Sequence, residues 1–217
     1  MLIGLDLDGT LLDSRLRHIA ALQQAAEACG VRLSENDAQM YFRLKREGNN
    51  GTEALRQLGI SRYENIVRQW GEIIESEEML AFDRPYSDTL QVLKLQQDRK
   101  DAFVLVTGRQ NRVLAGWQIA KLGLEGFFCE IIVVDPQDSS QTKAAVTSTY
   151  DFSAIVGDTE IDQQWAKDLG CRFYASSYGF RSNSYWHRLQ VTSYASLSEI
   201  FDAINPSGAA QAHFCHK

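Results

Sequence analysis

Leu2-Ile3-Gly4-Leu5-Asp6-Leu7-Asp8-Gly9-Thr10-Leu11 opens the chain, and the reading of every later segment turns on it. The apolar run from Leu2 to Leu7 predicts a buried strand, and Gly9 is the break that ends it. Two carboxylates, Asp6 and Asp8, stand at the carboxyl end of that strand, two positions apart. In an α/β protein this is the end outside which ligands bind. Burying one aspartate there is costly, and burying two calls for a cation or a proton between them. Such a stretch makes a poor core and a good site.

The composition sets wide bounds around that site. A length of 217 residues fits one domain, or one domain carrying an insertion. Hydrophobic residues at 44% and charged residues at 23% are ordinary for a globular protein. A formal net charge of −6 argues against a general nucleic-acid binder. No apolar run approaches the roughly 18 residues of a membrane span, and the N-terminus lacks a basic leader, so no membrane partner is expected. Cys29, Cys129, Cys171 and Cys215 follow no metal-binding spacing and read as reduced thiols of a cytoplasmic protein.

Beyond the first strand the pattern changes twice. Residues 14 to 84 predict helices with no strand between them. The first, capped by Asp13 or Ser14, runs to Cys29, with Ile19, Leu22, Ala26 and Cys29 on one face and Gly30 as its stop. Ser34 and Asp37 open a second, to about Arg46. After the Gly48-Asn49-Asn50-Gly51 loop, Thr52 caps a third ending at Gly59. A fourth is expected from Tyr63 to Leu80, with Ile66, Trp70, Ile73 and Ile74 inward. From Pro85 onward helix and strand alternate, the signature of a parallel sheet wound with helices. Strands are expected at 103–106, 131–134, 154–156 and 172–175. The helix after the first of these is expected to turn Val113, Trp117 and Ala120 inward, and a helix from about Thr142 carries Lys143. Trp70, Trp117 and Trp165 read as core, while Trp186 and His187 fall in a stretch read as loop. Ser196 and Glu199 form a capping box for the last helix, which Pro206 ends.

All strand ends of a parallel sheet share one edge, so Asp6, Asp8, Thr107 with Gly108, and Asp158 converge, with Lys143 near a helix start. Crowded carboxylates repel one another, and a bound Mg²⁺ resolves the repulsion with hard oxygen ligands. Thr107, Lys143 and exposed backbone N–H groups meet the opposite need and hold an anion.

In these motifs the chain resembles the haloacid dehalogenase superfamily of phosphatases along nearly its whole length. Asp6-Leu7-Asp8-Gly9-Thr10 matches the first motif of that family, Thr107 the second, Lys143 the third, and Gly157-Asp158-Thr159-Glu160-Ile161-Asp162 the fourth. The resemblance implies a doubly wound α/β core of Rossmann-like type (residues 1–13 and 85–205) with an inserted all-helical cap (14–84). It implies that Asp6 attacks phosphorus to form an aspartyl-phosphate. Asp8 then protonates the leaving oxygen and later activates water. Asp6, the Asp8 carbonyl and Asp158 would hold Mg²⁺, with Asp162 in support, and Thr107, Gly108, Arg109 and Lys143 would bind the phosphoryl oxygens. The layout is most similar to phosphoglycolate phosphatases and β-phosphoglucomutases, so a small phosphorylated metabolite is the expected partner. Alternatives are a sugar-phosphate mutase using the same intermediate and a non-catalytic binder of phosphate esters. Within the cap, Arg43, Lys45 and Arg46 are the candidates for reading the substrate. The tail, 206–217, is expected to be flexible, and its His213-Phe214-Cys215-His216 could take a metal only adventitiously.

Overall fold

A computed structural model of the chain describes residues 1–136 and 139–206, with the backbone alone for 139–142. The expectation for the His213-Phe214-Cys215-His216 tail lies outside the described residues. In chain order the strands are β1 (Leu2–Leu5), β2 (Leu12–Asp13), β3 (Arg84–Pro85), β4 (Ala102–Gly108), β5 (Glu130–Val134), β6 (Ala154–Gly157), β7 (Arg172–Ser176) and β8 (Ser193–Tyr194). The helices are α1 (Arg15–Ala28), α2 (Glu35–Arg46), α3 (Gly51–Gln57), α4 (Tyr63–Ile73), α5 (Glu77–Leu80), α6 (Thr89–Asp98), α7 (Arg112–Lys121), α8 (Ser139–Val146), α9 (Glu160–Asp168), α10 (Asn183–Arg188) and α11 (Leu197–Ile204).

Six strands form one sheet in the order β5-β4-β1-β6-β7-β8, every neighbouring pair parallel. The central strands are buried on both faces, as parallel sheets require. Ile3, Leu5, Phe103, Leu105 and Val156 point to one face, where Val92 and Leu93 of α6, Ile119 of α7 and Ile200 and Phe201 of α11 cover them. Val104, Val106 and Ile155 point to the other, under Trp165 and Ala166 of α9. Gly4 sits under the Trp165 ring, where an added Cβ would come within 2.8 Å of its Cη2. This is a doubly wound, Rossmann-like sheet with helices on both faces.

The helices α1 to α5 lie between β2 and β3, which pair antiparallel, Leu12 with Pro85 and Asp13 with Arg84. The chain therefore leaves for the helical block and returns from it at one point. The block has its own apolar centre, built from Leu22, Ala25 and Ala26 of α1, Ala38 and Tyr41 of α2, Ala54 and Leu55 of α3 and Ile66 of α4.

Several expectations about single elements need correction. Asn50, not Thr52, caps α3, accepting from the Glu53 amide while Glu53 returns to the Asn50 amide. The helix expected over 63–80 is two, α4 and α5, because Ser76 starts a new one by accepting from the Met79 amide. Beside that break, Glu75 accepts from the amides of Gln110 and Asn111 at 2.9 Å each, tying the block to the loop before α7. In α7 the inward face is Ala115, Gln118 and Ile119. Val113 is 79% exposed and Trp117 39%, its ring covered by the Lys121 ammonium rather than the core. The misreading has a physical cause: the polar Gln118 is the one that goes inside. It donates to Asp83 and to the Leu80 carbonyl there. The stretch with Trp186 and His187, read as loop, contains α10, and Trp186 is fully buried with its indole N–H on the Ser176 carbonyl at 3.0 Å. The short strand β8 follows it.

Candidate active site

The register of the sheet assembles the site. Leu5 lies opposite Leu105 on one side and Val156 on the other. Asp6, Thr107 and Asp158, one or two residues further along their strands, therefore share one edge. Carboxylate oxygens of Asp6, Asp158 and Asp162 lie within 4.8 Å of one another, and all three residues are buried. Asp162 belongs to the first turn of α9, where its Oδ2 accepts from the Thr159 amide and hydroxyl.

Lys143 stands among them. Its ammonium donates to Asp6 at 2.7 Å and to Asp162 at 2.8 Å. It lies 5.3 Å from the centroid of the Trp165 ring. That ring is fixed in turn by a 2.9 Å bond from its N–H to the Thr147 hydroxyl. Lys143 is 3% exposed, Thr107 1% and Asp158 0%. Burial and the neighbouring charges tune each group. Burial pushes the Asp6 carboxyl up to about 7, offset only in part by Lys143. Burial, then Asp6 and Asp162, raise Asp158 well above the carboxylate range. Burial alone would lower the Lys143 ammonium, but Asp162 and Asp6 raise it.

Asp158 carries the feature that fits a cation. Its Oδ2 accepts from the Phe180 amide, while its buried Oδ1 has no partner among the described residues. A buried carboxylate oxygen without a partner is costly, and a hard cation satisfies it. Gly9 and Gly179 close around this carboxylate, since a Cβ on either would meet Asp158 Oδ2. Gly9 holds φ at +79°, which glycine alone adopts without strain.

Asp8 faces the opposite way. It accepts from the Ser14 hydroxyl at 2.6 Å, from Arg17 at 2.5 Å, and from both Nε and Nη2 of Arg109, at 2.6 and 2.8 Å. Burial opposes its charge, but Arg109 and Arg17 hold the carboxyl well below the usual range. Behind it, Asp83 approaches Arg17 at 3.2 Å and Arg109 at 3.7 Å. Sequence reading missed Ser14, Arg17, Asp83 and Gln118. One signal was present: Arg17 stands four residues before Ala21 and eight before Ala25, on the buried stripe of α1. A charge in that position asks for a buried partner.

The three basic residues proposed for the cap separate. Arg43 is exposed on the outer wall of a cleft between α1 and α2. Arg46 donates to the carbonyls of Ser177 and Gly179, fastening the end of α2 to the loop after β7. Lys45 lies over the rings of Tyr41, Trp70 and Phe180, and Arg46 also lines a cleft that reaches Gly9.

Residues 3–176 match the family described as haloacid dehalogenase-like hydrolases. The chain belongs to that family. A relative, the phosphoglycolate phosphatase of Vibrio cholerae, is 27% identical over 199 residues, covering 82% of this chain and 85% of that one. A haloacid dehalogenase-like hydrolase from Streptococcus pneumoniae shares the fold with a TM-score of 0.73 at 17% identity, over 94% of this chain and 97% of that one. A predicted phosphoglycolate phosphatase from Haemophilus somnus does so with a TM-score of 0.68 at 18% identity, over 95% and 97%. Among the described residues of this haloacid dehalogenase-like hydrolase, no helix is long and apolar enough to cross a membrane.

Proposed function

We propose that this haloacid dehalogenase-like phosphatase hydrolyses a small phosphomonoester with Mg²⁺, through an aspartyl-phosphate on Asp6. The observation that carries the reading is the acidic trio at the sheet edge with Lys143 inside it and an unpartnered oxygen on Asp158. Asp6, the Asp8 carbonyl and Asp158 would hold Mg²⁺, with Asp162 in support. The ion would screen the charge that the substrate's phosphoryl group brings to this edge.

The chain's own groups do the rest. Asp6 is the nucleophile, kept in place by Lys143, which also offsets the charge it shares with the phosphoryl oxygens. Thr107 and Gly108 lie at the end of β4, where they bind those oxygens, while the amide of Arg109 is taken by the Val134 carbonyl and its side chain by Asp8. Asp8 is the general acid and later the general base. Its carboxylate is held by Ser14 and Arg17, which ride at the entry of the helical block, and by Arg109 of the core. Rotation of Asp8 toward the leaving oxygen is thereby tied to movement of that block. Residues 14–84 act as a cap over the core formed by 1–13 and 85–205, and the burial of Thr107, Lys143 and Asp158 requires that the cap open to admit substrate. The free thiols of Cys29, Cys129 and Cys171 suit the expected cytoplasmic setting.

The test is phosphate release from a panel of small esters, with Mg²⁺ and with chelator, by the native chain and by Asp6→Asn. Release that needs both the metal and Asp6 supports the proposal. Isomerisation of a sugar phosphate without net release would replace it with a mutase.

A further inference from the structure

The loop after β4 is divided between the core and the helical block, and the division falls at one peptide bond. Arg109 belongs to the core. Its amide donates to the Val134 carbonyl at 3.0 Å, and its Nε and Nη2 donate to Asp8 at 2.6 and 2.8 Å. Gln110, the next residue, belongs to the block. Its amide donates to Glu75 at 2.9 Å and its side-chain amide to the Gly71 carbonyl at 3.3 Å. The Asn111 amide donates to the other oxygen of Glu75, also at 2.9 Å. One carboxylate of the block thus takes two consecutive backbone N–H groups, directly after the residue that holds Asp8.

The chemistry of this tie suits a contact that is made and released. A carboxylate at the start of α7 is favoured by the partial positive charge of the helix N-terminus, and it accepts from both amides at once. Gln110 and Asn111 are exposed and Glu75 is half-buried, so water takes over the two amides when the block lifts. The block also reaches the Arg109 head group. Arg109 Nη2 donates to Gln118 Oε1 at 3.2 Å, and Gln118 donates in turn to the Leu80 carbonyl and to Asp83. Residues 75–83 therefore act on Arg109 twice, through the backbone that follows it and through its guanidinium. Arg109 is 4% exposed, so its head group has little freedom once both supports are in place.

We infer that Glu75 is a positioning residue: with the block seated, it sets the loop after β4 so that Arg109 holds the Asp8 carboxyl in register for proton transfer to the leaving oxygen. This rests on the phosphatase reading above, in which Asp8 serves that oxygen. Glu75 touches no reacting atom. Its influence passes through the peptide between Arg109 and Gln110, then Arg109, then Asp8. It therefore matters in proportion to the leaving group's need for a proton.

The experiment compares kcat/KM with Mg²⁺, which reports the steps up to departure of the leaving group, for p-nitrophenyl phosphate and for the alkyl ester that the native chain hydrolyses best. An alkoxide leaves only with a proton from the enzyme, whereas p-nitrophenolate leaves without one. The variants are Glu75→Gln, which keeps one acceptor, and Glu75→Ala, which keeps none, with circular dichroism and melting to establish that each is folded. Their loss on the alkyl ester is expected to exceed that on p-nitrophenyl phosphate by at least about tenfold, with Glu75→Ala the worse. A loosened block alone would lower both esters equally, so equal losses, or no loss, overturn the inference. A second readout needs no turnover. In chelator the Arg109 Nε–H should give a slowly exchanging nitrogen-correlated proton resonance, identified by its absence from Arg109→Lys. Its exchange should quicken at least about tenfold in both Glu75 variants. A resonance unchanged in the variants, or missing from the native chain, also overturns the inference. If the native chain turns over no ester, the phosphatase reading falls, and this resonance decides the positioning alone.

Discussion

Replacing Lys143 by Met removes the one cation that the described residues place between Asp6 and Asp162. The contacts are 2.7 and 2.8 Å. At an effective dielectric of about 20, each is worth roughly 6 kcal/mol of gross attraction. Desolvation of the buried ammonium, several kcal/mol, offsets much of that. What remains in the variant is a set of buried carboxylates without their counter-charge, a defect that costs about 3–5 kcal/mol. The loss depends on pH with a definite sign. The Asp6 carboxyl in the folded chain is already pushed up to about 7 from its ordinary 3.8, so the folded state binds a proton more tightly than the unfolded one. Its contribution is therefore most favourable at low pH and declines as pH rises through that interval. Without Lys143 the shift grows, and a proton takes over from the cation. Urea unfolding in chelator should show Lys143→Met far less stable than the native chain at pH 8 and much closer to it at pH 5. Mg²⁺ should restore more stability to the variant than to the native chain, because the acidic trio has lost its internal competitor. A deficit that is the same at both pH values, or a variant no less stable than the native chain, would refute this account of the site.

Two further predictions concern single residues. Asp158→Asn relieves the repulsion among three buried carboxylates and keeps an acceptor for the Phe180 amide. Melting in chelator should rise, by the equivalent of about 1–3 kcal/mol, while the stabilisation by Mg²⁺ disappears. Trp186→Ala empties a fully buried ring site and leaves the Ser176 carbonyl without its donor. Denaturant titration should show a loss of about 3–5 kcal/mol with the slope unchanged.

Much of this was legible in the order of residues, for reasons particular to each. The central strands are buried on both faces, so Val104-Leu105-Val106 and Ala154-Ile155-Val156 read as unbroken apolar runs. Asp6 and Asp158 end such runs at glycine-marked turns, which predicts their shared edge. Lys143 was harder, because one lysine in a polar segment looks like surface until two carboxylates 137 and 19 positions away are brought to it. The second layer was not legible. The side chains of Arg17, Asp83 and Gln118 meet only after α1, the approach to β3 and α7 have packed. A composition-based face for α7 selects Val113 and Trp117 and misses the polar contact that decides its orientation. In the same way, α10 is too short for periodicity to reveal, and tertiary burial of Trp186 holds it in place.

The small clip between β2 and β3 has a consequence for how the chain reaches this state. The first strand pairs with β4 in the register Leu2 to Ala102, a contact spanning 100 residues. Such closures are slow, since their entropy is lost before any contact rewards it. The clip joins Asp13 to Arg84 within that span. Once the helical block has formed on its nearer contacts and the clip has closed, the loop still to be shut shrinks to about 30 residues, lowering its entropic cost by roughly 1 kcal/mol. The insertion that most lengthens the sequence between β1 and β4 thus also brings them together. Pulse-labelled hydrogen exchange during refolding should find amides of α1 and α4 protected before those of β1.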